Sequence, residues 1–165
     1  MSLDVVPPTA PLPAVEPAQA AEVAEPAYRI DGVHADAQAF YAVACDPRRH
    51  VVVEACAGAG KTWMLVSRML RALLDGAKPQ EILAITFTRK AAGEMRTRLA
   101  HWLREFAAAD DARCAAELRL RGLGAAEAAR LAPAMRALHE QVLAGGRMVE
   151  VRTFHAWFTQ LLQIG

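Results

Sequence analysis

At 165 residues, of which 54% are hydrophobic, the chain has room for one domain of ordinary size and material for a sizeable core. The formal net charge of +1 hides an asymmetry: residues 1–27 hold four acids (Asp4, Glu16, Glu22, Glu25) and no Lys or Arg, so the remainder sets 19 basic residues against 14 acids. That remainder is mildly basic and compatible with a phosphate-bearing partner, whereas three cysteines without metal-ligand spacing (Cys45, Cys56, Cys114) argue against a disulfide framework or a zinc site.

The N-terminus shows no basic and apolar signal-peptide regions, and no apolar run reaches the ~20 residues needed to span a bilayer. A soluble, cytoplasmic protein is expected. Six of the nine prolines fall in residues 1–26, interleaved with Ala and Glu, which predicts a disordered tail over 1–27 and a domain beginning near Tyr28. The stretch "DAQAFYAVA" (36–44) predicts a short helix, capped by Asp36 and ended at Asp46-Pro47. "HVVVE" (50–54) is a β-branched apolar run and predicts a buried strand.

A helix is expected from Lys61 to about Asp75, with Val66, Met69, Leu70, Leu73 and Leu74 on one face and Gly76 as its stop. "EILAIT" (81–86) predicts a second buried strand. A further amphipathic helix carries Ala92, Met95, Leu99, Trp102 and Phe106. Residues 110–145 read as helical, interrupted at "GLG" (122–124) and ended at "GG" (145–146). "MVEVR" then predicts a short strand, followed by a helix from about His155 whose Phe154, Phe158 and Leu161 fit a buried face. Alternating strands and helices imply an α/β domain with a parallel sheet, and about 107–147 would be a helical insertion between strands. Asp110-Asp111 fit a solvated helix cap, and His34, His50, His101 and His139 show no partner spacing.

Chemistry concentrates in "VVVEACAGAGKT" (51–62). A phosphate loop needs backbone N–H groups converging at a helix N-terminus, with glycines where a side chain would obstruct them. Gly58 and Gly60 supply the glycines between a strand signal and a helix signal, Lys61 would reach the β- and γ-phosphates, and the Thr62 hydroxyl would ligate Mg²⁺. Ala55 stands where the strict pattern has glycine. Cys56 lies inside the loop, where a helix N-terminus favours a thiolate, although a small residue that simply fits is the plainer reading.

"ACAGAGKT" resembles the first motif of superfamily 1 DNA helicases, and the preceding Glu54 makes it similar to the RecB and AddA helicase–nuclease branch. "ITFTRKAAGEM" (85–95) resembles motif Ia of UvrD-like enzymes, with Arg89 in place of the usual Asn, and "RTFHAWF" (152–158) resembles motif Ib. The resemblance implies a RecA-like P-loop NTPase fold with a parallel sheet, flanking helices and a helical insertion. It further implies ATP and Mg²⁺ held by Ala57, Gly58, Ala59, Gly60, Lys61 and Thr62, with Lys61 and Thr62 catalytic, and Gln38 reading the adenine edge. Single-stranded DNA would lie over Thr86, Phe87, Thr88, Arg89, Lys90, Thr153 and His155. Hydroxyls and cations there suit phosphates, and an exposed ring suits an unstacked base.

By the same resemblance the chain is expected to be the ATP-binding N-terminal portion of a 3′-to-5′ helicase of double-strand-break repair, working beside a second helicase–nuclease subunit. No strand ending in Asp-Glu, no transition-state arginines and no second RecA-like domain are read in these 165 residues. The chain alone is therefore expected to be inactive, with an exposed apolar sheet edge and poor solubility. Two alternatives stand beside this: a non-catalytic nucleotide- or DNA-binding module, and an unrelated P-loop kinase of small substrates.

Overall fold

The computed structural model describes residues 28–56, 58 and 60–164. The tail over 1–27, Ala57 and Ala59 lie outside the described residues. The first element is a hairpin, β1 (Tyr28–Ile30) and β2 (Val33–Ala35), antiparallel across the turn Asp31-Gly32. Both turn residues have positive φ, 50° and 82°, as two-residue hairpins favour. The hairpin is additional to the elements expected from the sequence, although Asp-Gly between short apolar runs is its usual signal.

Helix α1 (Ala37–Ala44) follows as expected, with the Asp36 carboxylate accepting from Ala39 N at 2.7 Å. Helix α2 (Lys61–Leu74) buries Met64, Val66, Ser67, Met69, Leu70 and Leu73. Arg68 on α2 donates to the carbonyls of Ala44 at 3.1 Å and Asp46 at 2.6 Å, and also to that of Arg49. One guanidinium thus satisfies the end of α1 and binds it to α2. Phe40, Tyr41, Val53 and Trp63 close over a small core of Ala44, Cys45 and Met64 at this junction.

The expected strand at 50–54 is not formed. A strand requires a neighbour to take its N–H and C=O groups. Among the described residues the second sheet has two strands, β3 (Leu83–Thr86) and β4 (Glu150–Thr153), paired in parallel with each other. The 51–54 run joins neither, and Val52 is 93% exposed. The strand expected at 81–86 forms over the four residues of β3 but is not buried as expected, because Leu83 and Ile85 face outward. They line an open cavity of about 570 Å³ together with Leu65 and Met69 of α2.

Between the two parallel strands the chain runs through three helices: α3 (Arg89–Ala108), α4 (Asp111–Leu120) and α5 (Ala125–Ala144). The last two, α4 and α5, fall within the 107–147 stretch read as helical in the sequence. The main core lies among α2, α3, α4, α5 and the inner face of the sheet, with Leu70, Leu99, Leu103, Phe106, Leu118, Met135, Val149 and Val151 all buried. Asp110 caps α4 by accepting from Arg113 N at 2.7 Å, so the Asp110-Asp111 pair is a solvated cap as expected. The last described element is α6 (Phe154–Ile164). Phe154, Phe158 and Leu161 on α6 were expected to be buried and are exposed, because no described element packs over that face.

Candidate nucleotide and nucleic-acid site

Gly60 is the N-cap of α2, and Gly58 and Gly60 both adopt left-handed φ, 80° and 78°. Nothing lies within 4 Å of where a Cβ would sit on either, so backbone conformation rather than crowding calls for glycine here. Lys61, the first residue of α2, folds its ammonium back onto the loop and donates to the carbonyls of Ala55 and Cys56 at 2.6 Å each. Thr62 beside it is half-buried and Cys56 is exposed. A cation on a long stem, a hydroxyl and the opening of a 14-residue helix form a donor set suited to a magnesium–nucleotide phosphate tail.

Gln38, read from the sequence as the adenine-edge residue, has a protein partner here. Its side-chain amide donates to Leu123 O at 3.1 Å, in the turn between α4 and α5. Gly122 in that turn has φ +87°, and a Cβ there would come within 2.2 Å of Ala42 N on α1. The turn is thus seated directly on the backbone of the helix that carries Gln38. Arg71 of α2 secures it from the other side, donating to Arg121 O at 3.2 Å.

Arg121 is the functional-looking residue absent from the sequence expectations. Its side chain is 1% exposed, with its guanidinium carbon 4.4 Å from the Trp102 ring centre, 5.1 Å from Trp63 and 5.3 Å from Phe106. Glu117 pairs with it at 2.7 Å, while its Nε finds no partner. Burial pushes its pKa down and Glu117 opposes that shift. An arginine beside a glycine turn in an Arg-rich chain carries no sequence mark of such a role. Trp63, immediately after Lys61-Thr62, joins this stack to Tyr41 of α1 at 5.0 Å between ring centres. Helix α2, α1 and the helical crossover therefore share one aromatic junction.

The second group of expected residues gathers at the C-terminal ends of β3 and β4. Parallel register places Thr86 opposite Thr153, so the two loops that follow stand side by side. Thr88 caps α3 by accepting from Ala91 N at 3.1 Å, and Thr153 caps the start of α6 by accepting from Ala156 N at 3.2 Å. Phe87 is 85% exposed, with no place in the core. Arg89, Lys90 and His155 are all exposed. The His155 carbonyl accepts from Thr159 Oγ1 at 2.9 Å, a bond made by its backbone and not its ring. An exposed ring among hydroxyls and cations, at the carboxyl end of parallel strands, is the place and chemistry for a phosphate-linked ligand.

Fold and loops together define a mixed α/β protein with a glycine loop at a helix start and a hydroxyl-rich edge on a small parallel sheet. Residues 35–164 match the family described as the UvrD/REP helicase N-terminal domain, and the chain belongs to that family. It is 47% identical over 57 residues to an ATP-dependent helicase/nuclease subunit of Lactobacillus acidophilus, covering 34% of this chain and 5% of that protein. The protein of the same name from Natranaerobius thermophilus is 46% identical over 59 residues, 34% of this chain and 5% of its own length. The matched part is thus about one twentieth of these relatives. No solved structure matches the chain. Among the described residues, no helix is long and apolar enough to cross a membrane.

Proposed function

We propose that this chain is the ATP-binding N-terminal portion of an ATP-dependent DNA helicase that moves 3′ to 5′ along single-stranded DNA in double-strand-break repair. The relatives are named as helicase/nuclease subunits, which supports a second subunit beside this one, and the cytoplasm is the location proposed for both. Gly58, Gly60, Lys61 and Thr62, with Ala57 and Ala59 beside the glycines in sequence, would hold Mg-ATP. Lys61 would release the Ala55 and Cys56 carbonyls to meet the phosphates, and Thr62 would meet the metal. When bound, that nucleotide supplies the phosphoryl group whose hydrolysis drives strand movement. Gln38 would serve the adenine edge by giving up its bond to Leu123.

Single-stranded DNA would cross Thr86, Phe87, Thr88, Arg89, Lys90, Thr153 and His155. The observation carrying this reading is the parallel register that sets Thr86 beside Thr153, because it turns two separate sequence stretches into one edge. The chain by itself is expected to bind without turnover. The test pairs a fluorescent ATP analogue with a labelled oligonucleotide. Lys61→Ala should abolish nucleotide binding and leave DNA binding intact. Phe87→Ala should weaken DNA binding by ~1–3 kcal/mol, the usual worth of one stacked base, and leave the nucleotide unaffected. Absence of oligonucleotide binding at low salt, with nucleotide binding retained, would favour the alternative of a non-catalytic nucleotide-binding module.

A further inference from the structure

Away from both loops, an open groove of about 790 Å³ runs along α3 and past the end of α4, lined by Trp63, Thr97, His101, Trp102, Phe106 and Leu120 among others. It ends a longer aromatic row. Tyr28, Tyr41, Trp63 and Trp102 follow one another at ring-centre distances of 5.7, 5.0 and 6.1 Å. All four rings are half-buried, and Leu120 on the groove is 60% exposed. A continuous apolar strip left facing water marks a contact surface.

The charges around the groove narrow its occupant. Glu105 pairs with His101 and Arg113, and Glu117 pairs with Arg113 and Arg121. Among the described residues, only Glu94 and Arg98 of its charged walls lack an opposite partner, and they stand one helical turn apart. Walls so nearly balanced favour an uncharged, apolar occupant over a phosphate-bearing strand or a polycation.

The chain itself carries such a segment. Residues 5–15, "VVPPTAPLPAV", contain four prolines and no charged residue, and they lie outside the residues that the structure describes. Proline presets φ and lacks an N–H, so such a stretch enters an extended polyproline helix at small entropic cost. Aromatic-lined grooves hold that form by ring contacts, with nearby donors meeting its carbonyls. Here Thr97 and His101 are exposed beside the rings. Three residues per turn put Pro8 and Pro11 on one face. Pro13 stands fifteen positions before Tyr28, where the aromatic row begins, and fifteen residues reach at most ~50 Å. That exceeds what the three ring-to-ring steps from Tyr28 to Trp102 require.

We propose that residues 5–15 dock into this groove of their own chain, with Pro8 and Pro11 against Trp63 and Trp102 and Leu12 toward Leu120. Glu16, Glu22 and Glu25 then fall in the connecting stretch, outside the groove. The docked segment covers the stack around Arg121 and lies against the helix that opens with Lys61 and Thr62. The proposal is independent of the nucleotide and nucleic-acid readings.

The test places the photo-crosslinker p-benzoyl-phenylalanine at Val15 in the full chain and maps the cross-links by peptide mass spectrometry. An equal mixture of ¹⁵N-labelled and unlabelled chains separates links within one chain from links between copies. Links within one chain to residues 97–102 or 117–121 are expected. Leu120→Glu, at an exposed position, should lower their yield by roughly tenfold, the worth of one buried aliphatic contact, and leave the unfolding midpoint unchanged. Pro8→Ser combined with Pro11→Ser should lower it similarly, and this pair decides the matter if Leu120→Glu unfolds the chain. Links between copies would make the groove an intermolecular contact and overturn the proposal. Links only to another surface, such as the cavity beside Leu83 and Ile85, would overturn it as well, and so would no links at all. Groove links that survive the proline pair undiminished would show proximity without a seat, and the proposal would fail.

Discussion

Along α3 and α5 apolar residues recur every three or four positions and finish under cover, Met95, Leu99, Leu103 and Phe106 from one helix and Ala128, Ala132, Met135, Leu138 and Val142 from the other. Around Val52, Leu83 and Ile85 the apolar density is just as high, yet all three side chains face outward. Both regions obey the hydrophobic effect in composition, but they differ in where their partners come from. A helix closes its own backbone hydrogen bonds and needs only one covered stripe, which neighbouring helices of the same chain provide. A strand needs another strand at its edge, and in a parallel sheet it needs cover on both faces. The contrast separates what a sequence satisfies locally from what it requires of a neighbour.

The strongest way to break the comparison is at Arg121, where the covered region depends on one polar residue. With its guanidinium among Trp63, Trp102 and Phe106 and its charge met by Glu117, Arg121→Ala would leave the half-buried Glu117 carboxylate with only the longer 3.6 Å contact to Arg113 and the stack without its centre. Loss of one partner of such a pair costs ~3–5 kcal/mol, a large fraction of a small domain's stability. Urea unfolding followed by tryptophan fluorescence should show the midpoint falling sharply, with the slope preserved. An unchanged midpoint would mean that the crossover is not locked to α2 through this residue.

The uncovered region gives the opposite expectation. Val52→Thr removes apolar surface that is 93% exposed, so the folded chain should lose less than about 0.5 kcal/mol. Association is where the change should appear. The wild-type chain offers Val52, Leu65, Leu83 and Ile85 to a partner and should self-associate with rising concentration, by light scattering. Val52→Thr combined with Ile85→Thr should reduce that association. A monodisperse wild-type monomer would show that the exposed face is tolerated and remove the contrast with the helical region.

The same distinction decides what was legible in the sequence. Helix α2, with its Gly76 stop, and α3, with its buried face, are written in local spacing, and the breaks at 122–124 and 145–146 are written in glycine. The loop residues at 58–62, 86–90 and 153–155 are likewise local strings, readable once their likeness to helicase motifs is seen. Burial of Phe158 and Leu161 was inferred from helical spacing, which marks an apolar face without saying what covers it. The register of Thr86 on Thr153, the seat of Gly122 on Ala42 and the bond from Gln38 to Leu123 join residues far apart in the chain. Nothing in their neighbourhoods announces them.

The smallest expected effect separates the two regions by thiol chemistry. Cys45 and Cys114 are buried in the helical part, whereas Cys56 is exposed in the loop. Burial pushes the Cys45 thiol up from its ordinary 9.0 to about 11, against the pull of Arg71, Arg121 and Arg68, and burial also raises Cys114. Iodoacetamide at neutral pH should therefore modify Cys56 alone, with the other two reacting only after denaturation, as peptide mass spectrometry would show. The folded state favours the neutral thiol at Cys45, so its contribution to stability is full below pH 9.0 and is lost as pH rises through about 11. Cys45→Ala should leave neutral-pH stability lower by the lost packing alone and flatten the alkaline decline. If the decline persists unchanged in that variant, another group titrates there, and the first to substitute is Tyr41, whose hydroxyl is pushed up to about 12 by burial and by Tyr28.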